Sequence, residues 1–369
     1  SWSKPYFKVD PFNGGGSAAS VLSPGDFNRL CFACLKAQRG DLLEVLAKRE
    51  FVGFERHLYG RLHLAAHRYP TDREASEKEI RELIPSLEKL AARKKKWVVS
   101  WLRGVTSFTR EPLPAGSDTV PGATCHKPSP VGDIPRGRKL LYIASCNQDY
   151  FEKYWKNLRS SWMEHDPGQT ALLVNVINPD ENLLKYLAVE ATMANSQQIF
   201  LTTSQGPAVR AYYASSRFFV ANAIMKEQNC PVYIIDTDAI FVNSPADALP
   251  LPPHDVLMRD MEVAFPWGRV QAGRVVVAPT TNGLKFLETT VRYIVNMFDH
   301  TKDQWFIDQN AIEYSRISIL TEAPLNCFAN IKSYENLYSI IRAYPGGSKQ
   351  KLIDRIEHTS ESFDYDNID

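Results

Sequence analysis

The fold of this chain is decided by the stretch Pro231-Val-Tyr-Ile-Ile-Asp236-Thr-Asp238-Ala-Ile-Phe-Val-Asn-Ser-Pro245. Its apolar, β-branched beginning leaves no room for a helix before the next breaker, and it predicts a buried strand. Asp236 and Asp238 follow two residues apart, so in an extended chain they project to the same side. Two like charges at the end of a buried strand are costly unless a cation or a proton offsets them. We therefore interpret the pair as a functional site.

The composition is that of an ordinary soluble protein with more than one domain. The chain has 369 residues, of which 44% are hydrophobic and 23% charged. A formal net charge of +1 argues against a nucleic-acid partner held by phosphate neutralisation. No apolar run approaches the roughly 20 residues that span a bilayer, so we expect no transmembrane segment. The six scattered cysteines favour a reducing compartment, and we expect the protein to be cytoplasmic.

Turn residues and helical spacing divide the chain into four segments. Glycine-rich turn chemistry dominates the start, amphipathic helical patterns follow from Pro24, and a stretch rich in proline comes next. Such a proline-rich composition is typical of an extended linker. We predict a flexible leader at 1–23, a helical domain at 24–108, a linker at 109–137 and an α/β domain at 138–369.

The α/β domain is predicted from strands and helices that alternate after Lys139. Apolar strands at 139–145, 171–177, 198–202 and 232–235 are separated by amphipathic helices, which implies right-handed βαβ units. The fold class is therefore α/β, with a mixed, mostly parallel sheet, flanking helices and an N-terminal all-α domain. Ligands in such sheets bind at the carboxyl ends of the strands, where Asp236 and Asp238 stand.

Several short motifs occur together in a recognisable order. They are Ile143-Ala-Ser-Cys-Asn147, Ser215-Ser-Arg217-Phe, Asp236-Thr-Asp238, Gln271-Ala-Gly273-Arg-Val-Val-Val277, Asp308-Gln309 and His358. This set resembles the nucleotide-sugar glycosyltransferases of the GT-A (Rossmann-like) fold, and is nearest to the retaining, glycogenin-like type. The resemblance covers roughly residues 139–360. It implies a metal-dependent transfer of a hexose or pentose from a nucleotide-diphosphate sugar, with UDP as the expected nucleotide, to a hydroxyl of a glycan, protein or lipid.

The resemblance also implies roles for individual residues. Asp236, Asp238 and His358 would bind the metal, and their oxygen and imidazole ligands suit Mn²⁺ or Mg²⁺. The implied donor-binding residues are Ala144, Ser145, Asn147, Arg217, Asp236, Thr237 and Gly273. The implied catalytic residues are Asp308, Gln309 and Gln271. Two positions depart from the family: Gln271 stands where asparagine is more usual, and His358 is followed by Thr-Ser-Glu-Ser-Phe rather than by a glycine and Lys-Pro-Trp.

Two other functions and one interpretation without a function stay open at this stage. Asp236 and Asp238 could simply be solvated carboxylates at the end of their strand. A haloacid-dehalogenase-like phosphatase also places Asp-x-Asp after an apolar strand, with Asp236 as nucleophile and Asp238 as acid and base. Against this, Ile240 stands where that motif has a small hydroxyl residue. Alternatively, the helical domain binds a protein partner, and the α/β domain only senses sugar nucleotides.

Two spacings in the helical segment suggest metal or redox sites at first sight. Cys31 and Cys34 have CxxC spacing but lie in a helical pattern with no second pair, which favours two buried thiols. His63 and His67 share one helix face without the glutamate of a metalloprotease helix. We interpret the histidines as ordinary helix surface.

Overall fold

The structure is a computed structural model that describes residues 22–48, 54–93, 104, 106–114, 120, 129–130, 137–165, 167–196, 198–261, 265–302, 304–323 and 325–343. Contacts divide the chain into two compact units. The first comprises Ser1–Arg110 and Met261–Arg269, and the second comprises Glu111–Asp260 and Val270–Asp369. The predicted domain boundaries themselves stay a prediction. Among the described residues, no helix is long and apolar enough to cross a membrane.

The described part of the first unit is helical. Its helices are α1 (Pro24–Lys36), α2 (Gly40–Leu46), α3 (Phe54–Arg68) and α4 (Arg73–Arg93). Helix α1 begins where the sequence predicts, because the Ser23 hydroxyl accepts a hydrogen bond from the Asp26 amide at 3.2 Å and Pro24 occupies the first turn. Its apolar face is buried, as the helical spacing predicts.

The second unit is built on one large mixed sheet. Its strands are β1 (Ser129–Pro130), β2 (Leu140–Asn147), β3 (Thr170–Ile177), β4 (Ile199–Ser204), β5 (Val232–Ile235), β6 (Ala239–Phe241), β7 (Val256–Asp260), β8 (Val270–Val277), β9 (Phe328–Asn330) and β10 (Ile341–Ala343). Eight of them form the sheet, in the order β1-β4-β3-β2-β5-β8-β7-β9, and β6 pairs with β10. Strands β4, β3, β2 and β5 run parallel, whereas β8 is antiparallel to β5 and to β7.

Helices cover both faces of this sheet. They are α5 (Gln148–Met163), α6 (Glu181–Ser196), α7 (Arg210–Gln228), α8 (Thr281–Met297), α9 (Ile307–Leu320) and the short α10 (Glu335–Tyr338). One apolar core includes Phe218 of α7, Phe286 of α8 and Ile312 of α9. The other includes Trp155 of α5 and Leu187 of α6. The predicted α/β class with a mixed, mostly parallel sheet is confirmed.

The order of the central strands creates a topological switch point. From β2 the chain moves outward through β3 and β4, and helix α7 then returns it to β5 on the other side of β2. The carboxyl ends of β2 and β5 therefore adjoin where the winding reverses. In open α/β sheets, such a crevice is the usual ligand site, and Asp236 directly follows β5.

Strand β8 begins at Val270, and its pairing with β7 continues past a register shift between Met258 and Arg259. One sequence expectation needs correction. His63 is fully buried rather than on the helix surface, and its ring packs edge-on against Phe265, a residue far along the chain. By contrast, Cys31 and Cys34 are buried free thiols, as expected.

Candidate active site

The chain turns sharply at the carboxylate pair. Strand β5 ends at Ile235, and the Ala239 amide donates to the Asp236 carbonyl oxygen at 3.1 Å, which closes a turn over the pair. The expectation of an extended chain through Asp238 is therefore wrong. Because of the turn, the two carboxylates reach different partners. The Asp236 side chain is 41% exposed, whereas Asp238 is buried.

The Arg217 guanidinium hydrogen-bonds to both Asp236 and Asp308 and so joins them. It lies on α7, the helix that leads into β5, and its side chain is only 5% exposed. Its Nη1 donates to the Asp236 carboxylate and to the Ile235 carbonyl oxygen, and its Nη2 donates to Asp308 Oδ2 at 3.1 Å. Three elements, α7, β5 and α9, thus meet through one guanidinium.

Burial and charge oppose each other in this cluster. Burial lowers the pKa of Arg217, but the negative charges of Asp236 and Asp308 outweigh it, and the pKa is raised. The guanidinium therefore stays charged. Burial raises the pKa of Asp308, and the positive charge of Arg217 offsets only part of that shift. Asp308 lies in the first turn of α9, where its Oδ1 accepts the Gln309 amide at 2.8 Å.

Gly273 gives Asp236 the room it needs. This glycine lies in β8, which pairs with β5 so that Arg274 faces Ile235. A Cβ at position 273 would clash with both carboxylate oxygens of Asp236. Glycine is therefore required for a close approach of backbone to carboxylate, not for an unusual backbone angle.

Asp238 is held by a residue of α5 rather than by Arg217. The Tyr150 hydroxyl, in the first turn of α5, donates to Asp238 Oδ2 at 2.8 Å. Between the two carboxylates, the Thr237 hydroxyl donates to the Ser145 carbonyl oxygen of β2 at 3.3 Å. The turn after β5 is thus fastened to the carboxyl end of β2.

The segment Ala144–Asn147 is the end of strand β2. Ala144 is fully buried in the core. The Ser145 hydroxyl belongs to a buried polar network, in which the Asn175 amide donates to the hydroxyls of Ser145 and Ser204 at 3.0 Å each. Of the predicted donor-binding residues in this segment, Asn147 is the one with a partly exposed side chain.

The remaining predicted site residues are Gln271, Gln309 and His358. The Gln271 Oε1 accepts from Arg259 Nη1 at 2.8 Å, two residues from Gly273 on the same strand. Gln309 follows Asp308 and is partly buried. His358 lies outside the described residues. The structure therefore brings Asp236, Arg217, Gly273 and Asp308 together, with Thr237 and Asp238 on the adjoining turn.

The carboxylates present suit a cation that is shared with a substrate. Across the part of the chain that the structure describes, no group of three or more His, Cys, Asp or Glu side chains could hold a metal by itself. Mg²⁺ and similar hard cations are commonly bound by one or two carboxylates together with substrate phosphates. Asp238, with Asp236 beside it, fits that donor set, although Asp236 is partly engaged by Arg217.

Sequence reasoning missed Tyr150 and the buried polar network around Ser145. The signal was available, because Tyr150 lies three residues beyond β2 and the carboxyl ends of neighbouring strands meet. An open, polar cavity of about 450 Å³ also exists, but its lining residues do not include the carboxylate pair. These are Asn243, Ala246, Asp247, Leu249, Asn336 and Ser339. We therefore take the buried, charged cluster, rather than this cavity, as the candidate site.

No protein-family model matches this chain, and no curated protein matches it either. Among solved structures it is similar to the bifunctional glycosyltransferase WbbM, at 13% identity and TM-score 0.35 over 50% of this chain. It is also similar to GlyE of Streptococcus pneumoniae TIGR4, at 9% identity and TM-score 0.37 over 62% of this chain. A third is the galactosyltransferase LgtC in complex with donor and acceptor sugar analogs, at 9% identity and TM-score 0.38 over 61% of this chain.

The matched share of these structures differs. This chain covers 38% of the WbbM chain, 66% of the GlyE chain and 97% of the LgtC chain. At such identities and TM-scores, the likeness assigns neither an activity nor a substrate to this chain.

Proposed function

We propose that this protein is a metal-dependent glycosyltransferase of the GT-A type that transfers a sugar from a UDP-sugar to an acceptor hydroxyl, with retention of configuration. The observation that carries the proposal is the placement of Asp236 and Asp238 at the topological switch point, with Arg217 connecting Asp236 to Asp308. The nucleotide and the stereochemistry rest on the resemblance of the sequence motifs.

The proposed donor lies in the crevice between the ends of β2 and β5. Its nucleoside is bound by the end of β2 around Asn147, and its ribose by Asp236. The sugar lies beside Gly273, where the missing side chain lets the Asp236 carboxylate lie directly against the β8 backbone. Arg217 fixes Asp236 and Asp308 in one arrangement before substrate arrives, so less reorganisation is needed during the reaction.

The transfer step exchanges one bond at the anomeric carbon. The acceptor oxygen attacks that carbon, and the bond from the carbon to the β-phosphate oxygen breaks. The nucleoside diphosphate leaves, and the acceptor proton passes to its phosphate oxygen. Asp308 and Gln309, with Gln271, border the reacting face and orient the sugar. A divalent cation held by Asp238, Asp236 and His358 would neutralise the charge that develops on the diphosphate.

A thermal-shift panel tests the class and the donor together. The full chain is mixed with UDP, GDP, ADP and their sugars, each with and without Mn²⁺. We expect stabilisation by UDP and a UDP-sugar only when Mn²⁺ is present, because the carboxylates bind the cation together with the diphosphate. Asp238→Asn removes that stabilisation, whereas Asp247→Asn, at an acid in the separate polar cavity, preserves it.

Other outcomes would favour the alternatives. Hydrolysis of para-nitrophenyl phosphate that Asp236→Asn abolishes, without any response to sugar nucleotides, would identify a phosphatase instead. Metal-dependent UDP binding without turnover of any UDP-sugar would favour a sensor. The acceptor, a protein partner for the helical domain and a cytoplasmic location stay predictions.

A further inference from the structure

Tyr150 touches the carboxylate that the proposed function assigns to the metal. Its hydroxyl donates to Asp238 Oδ2 at 2.8 Å. Asp238 is 7% exposed and lies in the turn after β5. The contact joins the beginning of α5, which directly follows β2, to the turn after β5, the strand that lies beside β2 in the sheet.

The position of the hydroxyl is fixed by its surroundings. Tyr150 lies in the first turn of α5, and its ring packs against Tyr154 with 4.4 Å between the ring centroids. Tyr154 is itself 4% exposed. Tyrosine has few rotatable bonds, so a packed ring places its hydroxyl with little freedom. The Tyr150 hydroxyl is therefore held in place, and it restrains the Asp238 carboxylate to which it donates its hydrogen bond.

We propose that Tyr150 is a positioning residue that orients the Asp238 carboxylate for the divalent cation, an inference that rests on the proposed function. Partners that hydrogen-bond to metal-binding side chains restrict their orientation, and their removal commonly costs about 10–100-fold in metal affinity. Without the hydroxyl, the Asp238 carboxylate loses one of the contacts that orient it, so ordering it for the cation costs more of the binding free energy.

Binding of Mn²⁺ in the presence of saturating UDP tests this role without any need for turnover. Free Mn²⁺ is measured by its electron paramagnetic resonance signal as the full chain is titrated. In Tyr150→Phe, the dissociation constant for Mn²⁺ is expected to rise about tenfold. Tyr186→Phe is the matched control, because Tyr186 packs against the same core face. It should bind Mn²⁺ as the parent does.

Two further measurements separate positioning from a structural role. The melting temperature of Tyr150→Phe without metal or nucleotide should stay within about 3 °C of the parent, as expected for one partly exposed hydrogen bond. Adding Tyr150→Phe to Asp238→Asn should cause no further loss of Mn²⁺ binding, because the tyrosine acts through that carboxylate.

The outcomes distinguish this inference from the function on which it rests. Parental Mn²⁺ affinity in Tyr150→Phe, while Asp238→Asn loses Mn²⁺, would overturn the role of Tyr150 and leave the proposed function standing. Equal Mn²⁺ affinity in Asp238→Asn and the parent would refute the metal site itself, and the inference with it.

Discussion

Arg217 is the residue on which the charged cluster depends. It is 4% exposed, and it connects the half-exposed Asp236 to the buried Asp308. Because one guanidinium holds both carboxylates, its loss removes a partner from each of them. A buried ion pair of this kind contributes little net stability, but its disruption is costly because the remaining charge stays unpaired.

Arg217→Gln is expected to destabilise the protein by about 3–5 kcal/mol at pH 8, since Asp308 is left buried without its partner. Because burial already raises the pKa of Asp308, the unpaired carboxyl takes up a proton more readily in the folded state. The loss is therefore smaller at pH 5 and grows as the pH rises through the raised pKa. Denaturant unfolding at the two pH values measures it.

The matched control lies on the same helix. Lys226→Gln breaks the exposed pair with Glu288 and should cost under about 1 kcal/mol. The double variant Arg217→Gln with Asp308→Asn should recover part of the loss. A cost for Arg217→Gln no larger than that for Lys226→Gln would contradict this description of the cluster.

Gly273→Ala tests the close approach of β8 to Asp236. The added methyl group clashes with the carboxylate, so Asp236 or the β8 backbone must shift, which disturbs the ion pair between Asp236 and Arg217. Misplacement by about 1 Å can cost on the order of 10²-fold in rate. We expect a comparable fall in kcat/KM for whichever UDP-sugar stabilises the protein. Gly137→Ala is the control: its φ of +85° strains the backbone, but the added methyl meets no neighbour, so stability should fall while kcat/KM stays parental. Unchanged turnover in Gly273→Ala would argue against a sugar bound there.

Among the elements, strand β5 was predictable from the sequence, whereas the turn that follows it was not. The strand, its burial and the acidic pair after it follow from local pattern alone. The turn does not, because nothing local specifies the hydrogen bond from Ala239 or the separate partners Arg217 and Tyr150. Those partners come from α7 and α5, and only the sheet order brings them to the strand end.

Helix α3 contains a residue, His63, whose burial the sequence does not predict. Its heptad-like spacing identifies a buried face but does not reveal how wide that face is. His63 is buried because neighbouring helices and Phe265 cover it, and Phe265 comes from the segment between β7 and β8. A contact so distant in sequence cannot be read from a single helix, which is why the local pattern wrongly predicts an exposed histidine.

The burial of His63 predicts a pH-dependent stability. Burial lowers the pKa of His63 to about 4, and its Nδ1 donates to the Tyr59 carbonyl oxygen. Between about pH 6.5 and 4 the unfolded chain binds a proton that the folded chain does not, so stability falls as the pH falls through this window. Between pH 7 and 5 the loss is about 2 kcal/mol, measurable by urea unfolding followed through helical circular dichroism.

Two variants on α3 check that assignment. His63→Gln should remove this pH-dependent term, although it is less stable at pH 7. His67→Gln, on the partly exposed side, should keep the parental pH dependence. A parental pH dependence in His63→Gln would show that other groups cause it.

For the whole molecule, the sequence was sufficient for the α/β class but not for the composition of the two compact units. Alternation of strands and helices predicts the sheet, because βαβ connections leave few topologies. It does not predict that Met261–Arg269 joins the first unit, since this depends on Phe265 and Trp267 packing among residues of that unit. Of the three predicted metal ligands, the described residues include Asp236 and Asp238, whereas His358 lies outside them.

Turnover of a UDP-sugar by the parent and by Asp238→Asn tests the central claim most directly. The parent should release UDP in the presence of Mn²⁺, stop when a chelator removes the metal, and recover when Mn²⁺ is restored. Asp238→Asn should fall by at least about 10²-fold with its melting temperature unchanged in the absence of metal. Release of UDP at the parental rate by Asp238→Asn would contradict the account.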